Sequence, residues 1–228
     1  MEKITIDEFK LPDGSIYTGD CIKNHSMIEL SGEGEIFYPN GDKYIGHFEN
    51  GNVRGSGKYV FSDGDIHHGE FFNGIPNGVG YLNKHDSMCM GNFKNGRLNG
   101  WALRLGDEFD FGWWKDGLLI KNETDKVEWA FSKIQNSSFK GNWVRILEFG
   151  NFEMGIPKVN KDGIIISFFG FLFSKEGQVS VGVHSNLLKD GPVAVFNSEG
   201  LISYAQYLVD YFLWDLTFSE LLELHLQS

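Results

Sequence analysis

Two adjacent histidines, His67 and His68, are the first residues of this chain that could hold a metal ion. Imidazole is a common metal ligand. The flanking residues read as a strand, however, and neighbouring strand residues point to opposite faces. The two rings therefore do not converge on one ion, and His67 reads better as a substitute for an aromatic residue in a repeated column. His25, His47, His85, His184 and His225 have no ligand-like spacing. Paired carboxylates could do acid–base work, and they occur as Glu33 with Glu35 and as Asp107, Glu108 and Asp110. They sit near turns or strand starts of an acidic chain and read as a solvated edge. Cys89 falls in the same column as His67, so it reads as packed rather than nucleophilic. Cys21 and Cys89 are the only cysteines, far apart and outside any CxxC pair. Neither a disulfide framework nor a structural zinc site is expected, and a reducing, cytoplasmic compartment fits. The chain has no Gly-x-x-x-x-Gly-Lys-Ser/Thr loop and no Gly-x-Ser-x-Gly elbow. Its Gly-x-Gly pairs lie between hairpin strands rather than between a strand and a helix, so a dinucleotide site is not expected either. No catalytic residue, cofactor or metal is assigned.

The elements that carry these residues follow from composition and spacing. Hydrophobic residues make up 41 % of 228, enough for a real core. There are 29 Gly and only 5 Pro, which implies many turns between short strands. The net charge of −11 argues against nucleic acid as the main partner and weakens the case for an anionic membrane. Lys189 is the last basic residue, and six carboxylates follow it, so the C-terminal end suits a basic partner surface. The first residues, MEKITIDEFK, are charged and lack the apolar core of a signal peptide. No run approaches the roughly 18 apolar residues of a membrane-spanning helix.

Self-similarity organises most of the chain. Gly19, Gly46, Gly69, Gly91 and Gly112 are spaced 27, 23, 22 and 21 residues apart. Two positions after each stand Cys21, Phe48, Phe71, Phe93 and Trp114, and five positions after stand Asn24, Gly51, Gly74, Gly96 and Gly117. A second glycine pair follows: Gly55 with Gly57, Gly78 with Gly80, then Gly100 with Ala102. In the first copy the pair, Gly32 and Gly34, arrives four residues late, so the first hairpin is longer. Tyr44, Gly46 and Phe48 share one strand face, and Ile45 and His47 share the other. Asn50-Gly51 and its equivalents tolerate the positive φ of tight hairpins. The anchor glycine is expected to leave room for a ring from a neighbouring strand. Stacked hairpins of this kind give an aromatic ladder along a continuous sheet.

The segments YIGHFENGNVRGSGKY and IHHGEFFNGIPNGVGY resemble the MORN repeat, of the form Tyr-x-Gly-x-aromatic-x-x-Gly-x-x-x-Gly-x-Gly. Residues 40–104 carry three good copies, and residues 13–39 and 109–121 match in part. The resemblance implies an all-β fold, an elongated single twisted antiparallel sheet of stacked hairpins. It also implies a non-enzymatic scaffold or adaptor for protein–protein interaction, associated with cytoskeleton, cilia or membrane junctions. Lipid binding is ascribed to some MORN proteins and is the alternative, although the net charge disfavours it. A regulatory module of an enzyme complex is a further alternative.

Residues 1–121 are thus read as repeats. Residues 122–200 are read as a degenerate continuation of the same sheet, with a separate small β domain as the alternative. Residues 201–228 are read as a strand and an amphipathic helix. Thr217-Phe218-Ser219-Glu220 has the form of a capping box, and Phe218, Leu221, Leu222 and His225 follow helical spacing. That helix is expected to cap the sheet end, or else to dock a partner. On the face opposite the ladder, Asp20, His47, Glu70 and Asn92 are polar, whereas Phe72, Met90, Phe111 and Trp113 make later copies apolar. An exposed apolar patch would mark an interaction site. Two alternatives stand beside it: the C-terminal part covers this face, or the fifth copy has slipped register around Asp110. The expected partners are other proteins, basic surfaces among them, or a second copy through an unpaired sheet edge.

Overall fold

The computed structural model describes residues 2–25, 27–135, 144–146, 151–159, 161, 165–185, 188–200, 202–208 and 211–215. Eleven strands run in chain order through one antiparallel sheet. They are β1 (Glu2–Lys10), β2 (Ile16–Asn24), β3 (Met27–Phe37), β4 (Lys43–Glu49), β5 (Asn52–Val60), β6 (Ile66–Phe72), β7 (Ile75–Asn83), β8 (Met88–Lys94), β9 (Arg97–Leu105), β10 (Phe109–Lys115) and β11 (Leu118–Asn122). Each repeat is a hairpin closed by a two-residue turn. Asn50 and Gly51 have φ of 51° and 76°, the double-positive geometry whose twist matches the flanking strands. Asn73-Gly74, Asn95-Gly96 and Asp116-Gly117 repeat it.

A row of glycines crosses the sheet in register. Gly19 faces Gly34, which faces Gly46, and the row continues through Gly57, Gly69, Gly80 and Gly91 to Ala102 and Gly112. The ring that needs this space comes from the same strand, not from a neighbouring one as the spacing suggested. Tyr44 folds along β4 over Gly46 and over Gly57 opposite, and Tyr17 lies likewise over Gly19 and Gly34. The Tyr44 hydroxyl then donates to the carbonyl of His47 at 3.2 Å, and Tyr17 donates to Asp20 at 2.7 Å. Both acceptors sit at a β-bulge, between Gly46 and Phe48 or between Gly19 and Cys21. The tyrosine thus fills the glycine trough and satisfies the bulge.

The rings interlock edge to face. Phe48 stands 5.1 Å from Tyr17 and 5.4 Å from Tyr44, and Phe71 stands 5.2 Å from Tyr44 and 5.3 Å from His67. Phe93 closes the series 4.8 Å from His67. Such perpendicular pairs are the favoured aromatic geometry. Beyond this point the column changes chemistry. Asp110 takes the tyrosine position and pairs with Arg104 (Nε to Oδ2, 3.0 Å), whose guanidinium lies 5.1 Å over Trp114. Gly112 still faces Ala102, so the fifth copy keeps its register.

The ladder does not run on through residues 122–200 as one sheet. After β11 the chain makes a short 3-10 turn (Thr124–Lys126) and a helix, α1 (Glu128–Gln135), which the repeat spacing gave no sign of. A second sheet of seven antiparallel strands follows: β12 (Val144–Ile146), β13 (Phe152–Val159), β14 (Ile165–Phe173), β15 (Val179–Ser185), β16 (Leu188–Phe196), β17 (Ile202–Leu208) and β18 (Tyr211–Asp215). It keeps the plan of the first. Gly155, Gly170 and Gly182 form a row, and a bulge lies between Gly182 and His184.

The physical reason for the second layer is the outer face of the later repeats. Val79, Met88, Met90, Trp101, Leu103 and Phe111 form an apolar surface too large to leave in water. Phe152, Met154, Phe171, Phe173, Val181 and Phe196, alternating along the second sheet, bury it in a shared core. The helix expected at Thr217–His225, with Phe218, Leu221 and Leu222, lies outside the described residues.

Candidate binding surfaces

The residues that could have done chemistry are spent on structure. His67 is in the ladder and 2 % exposed, whereas His68 turns to the second sheet, 6.3 Å from Phe152. Glu33 meets His47 Nδ1 at 3.1 Å, and Glu35 pairs with Lys43. Burial pushes the thiols of Cys21 and Cys89 up, which keeps them protonated. One pair was not foreseen. Ser180 Oγ lies 2.8 Å from His184 Nε2 on the second sheet. Ser180-x-Gly182-x-His184 occupies the positions of Tyr44-x-Gly46-x-Phe48, a signal visible in the sequence. At 3 % and 0 % exposure, both side chains stand where ladder rings would and face no solvent.

The buried histidines make stability pH-dependent. Burial pulls His67 from 6.5 down to about 4, aided by neighbouring His68. Burial does the same to His68, aided by Lys58. Both stay neutral in the fold while the unfolded chain takes up protons below pH 6.5. Stability is therefore full above that pH and falls progressively down to about pH 4. His67 contributes on the order of 2–3 kcal/mol to the loss and the more accessible His68 less. His67 Nε2 has no hydrogen-bond partner among the described residues. A His67→Tyr chain, whose hydroxyl can reach the next bulge carbonyl, is expected to lose less stability on acidification. Urea denaturation across this window checks it, and parallel loss in both chains would count against the assignment.

The proposed partner-binding residues divide. Met90 and Phe111 are fully buried between the sheets, so they form no exposed patch. Trp113 is half-buried, edge-on to Trp101 at 5.4 Å. Phe72 is 45 % exposed and faces Ile75, 47 % exposed, across the hairpin. Leu118 at 68 % and Met27 at 74 % are exposed on the same rim, where the hairpin tips lie. Lys23, Arg54, Lys94, Arg97 and Lys115 flank these tips and outnumber Glu29, Glu49 and Asp116 there, Arg54 being paired with Glu49. The opposite rim holds the loops that join one hairpin to the next, and there Asp13, Asp42, Asp63, Asp65, Asp86, Asp107 and Glu108 outnumber Lys10, Lys43 and Lys84, which is paired with Asp65. The topology thus gives the tip rim a basic excess and the loop rim an acidic one.

The model of the MORN repeat matches residues 44–66 and 67–82, the second and third hairpins with their Tyr44-x-Gly46-x-Phe48 and His67-x-Gly69-x-Phe71 strands. No curated protein matches the chain significantly.

Proposed function

We propose that this chain, a MORN-repeat protein, is a non-enzymatic scaffold that binds other proteins along its hairpin-tip rim. The observation that carries this reading is the exposed Phe72–Ile75 pair set among basic residues, while the repeat glycines and rings are committed to the ladder. Exposed apolar side chains with a polar surround are the usual core of an interaction patch. A cytoplasmic, cytoskeleton-associated setting, partners with basic surfaces on the acidic rim, and self-association belong to the same reading. The second reading is a lipid surface, favoured by the same rim, where cationic and apolar side chains lie together.

One experiment separates the two. The Phe72→Ser/Ile75→Ser chain is compared with wild type in crosslinked partner capture and in flotation with phosphatidylserine vesicles. The scaffold reading expects captured proteins to be lost with no change in melting temperature. Flotation that disappears in the variant and at moderate salt supports the lipid reading instead. Partners retained by the variant would remove the rim from both.

A further inference from the structure

A cleft of about 270 Å3 opens where turns of the second sheet meet the outer face of the third to fifth hairpins. Asn77 on β7, Asn92 on β8 and Asn99 on β9 contribute one carboxamide per strand, and Trp113 on β10 follows. Gly177 and Ser198, from the β14–β15 and β16–β17 turns, form the opposite lip. The three amides make no hydrogen bond to any described residue. Asn92 Nδ2 would stand 3.7 Å from a Cβ at Gly177, and a Cβ at Gly100 would press on Asn92 at 3.3 Å. The Gly100 contact is with the Asn92 Cβ, and the Gly177 contact is of ordinary van der Waals length, so Gly177 places the second sheet's turn within reach of the Asn92 amide. Lys94 is the one charged residue among those lining the cleft. The Glu70 carboxylate lies over Gly78 at its edge, and the rest of the lining is neutral hydrogen-bonding and aromatic groups.

We infer that this cleft binds a short extended segment of a partner polypeptide. Each carboxamide offers one acceptor and two donors, the complement of a peptide unit. Trp113 adds a rigid aromatic anchor, and the mixture of Trp, Asn, Ser and Gly is the chemistry by which binding loops hold polypeptides. Four adjacent strands span about 14 Å, close to four residues of an extended chain. The inference shares with the scaffold reading only the premise that partners are proteins, since of the tip rim only Lys94 borders the cleft.

The test uses the full chain. A random peptide library displayed on phage is selected against it, and the enriched peptides are measured against wild type, Asn92→Ala/Asn99→Ala and Phe72→Ser/Ile75→Ser. The expected result is roughly tenfold weaker binding to the amide variant, unchanged binding to the rim variant, and peptide-induced shifts of the Trp113 indole and asparagine side-chain amide signals. Should the amide variant fold poorly, those shifts in wild type decide alone. Absence of enriched peptides, equal affinity for the amide variant, or shifts confined to other residues overturns the inference. So does binding of neutral oligosaccharides in place of peptides. Loss of binding only in the rim variant removes the cleft while leaving the scaffold reading in place.

Discussion

Gly46→Ala is expected to lower the unfolding free energy by about 3–5 kcal/mol, a severe effect for one methyl group. At φ 153° an added Cβ would lie 2.6 Å from the Gly57 Cα, 2.6 Å from the Tyr44 hydroxyl and 2.7 Å from the Ser56 carbonyl. Two of those atoms are backbone of the facing strand and cannot yield without opening the ladder. The third is the ring that caps the bulge. Gly51→Ala is the control. Its φ of 76° is also unfavourable for alanine, but nothing lies within 4 Å, so about 1 kcal/mol is expected. Urea denaturation of both chains measures the difference, and equal costs would show that close approach is not what the row requires. Ala102 shows how the row tolerates a side chain. Its strand pairs with β8, where Cys89 replaces the tyrosine, so no ring needs the space.

The second large effect is expected for Trp101→Ala, again about 3–5 kcal/mol. Trp101 is fully buried, stacks on Phe111 at 5.6 Å and meets Phe196 at 4.9 Å. Its indole N–H donates to the Asn197 carbonyl at 2.7 Å, a bond between the two sheets. Removing the ring leaves a cavity and an unpaired carbonyl. The loss is expected to be regional. In hydrogen exchange, the second sheet and β8–β10 lose protection, while β2–β6, built on the Tyr17–Phe48–Tyr44–Phe71 series, keep theirs. Uniform loss of protection would mean that the sheets unfold as one unit.

The hairpins were legible because their signals are local. Turn dipeptides, anchor glycines and period-two aromatics each act within a few residues, so Tyr44-x-Gly46-x-Phe48 announced both strand and register. The direction of the tyrosine ring was not legible, since spacing cannot distinguish a ring lying along its own strand from one reaching across. Met90, Phe111 and Trp113 mark the outer face as apolar, but spacing alone does not say what covers it, and Met90 and Phe111 are buried rather than offered to a partner. The cover depends on contacts such as Trp101 with Asn197, far apart in the chain. The second sheet hid for a related reason. Its column holds Ser180 and His184 instead of rings, so only Gly155, Gly170 and Gly182 kept the pattern. The asparagine cleft left no local trace, because its amides come from three strands and its lip from two distant turns.

The two rims have one more consequence. With a cationic excess along one long edge and a carboxylate excess along the other, the sheet has an uneven charge across its width. A charged body approaching from solution exerts a torque on such a plate before any atoms touch, within about 8 Å at physiological salt. An anionic body turns the hairpin tips toward itself, and a cationic body turns the loops. Which edge of the plate is presented is thus decided during the approach, and raising the ionic strength would leave it to chance.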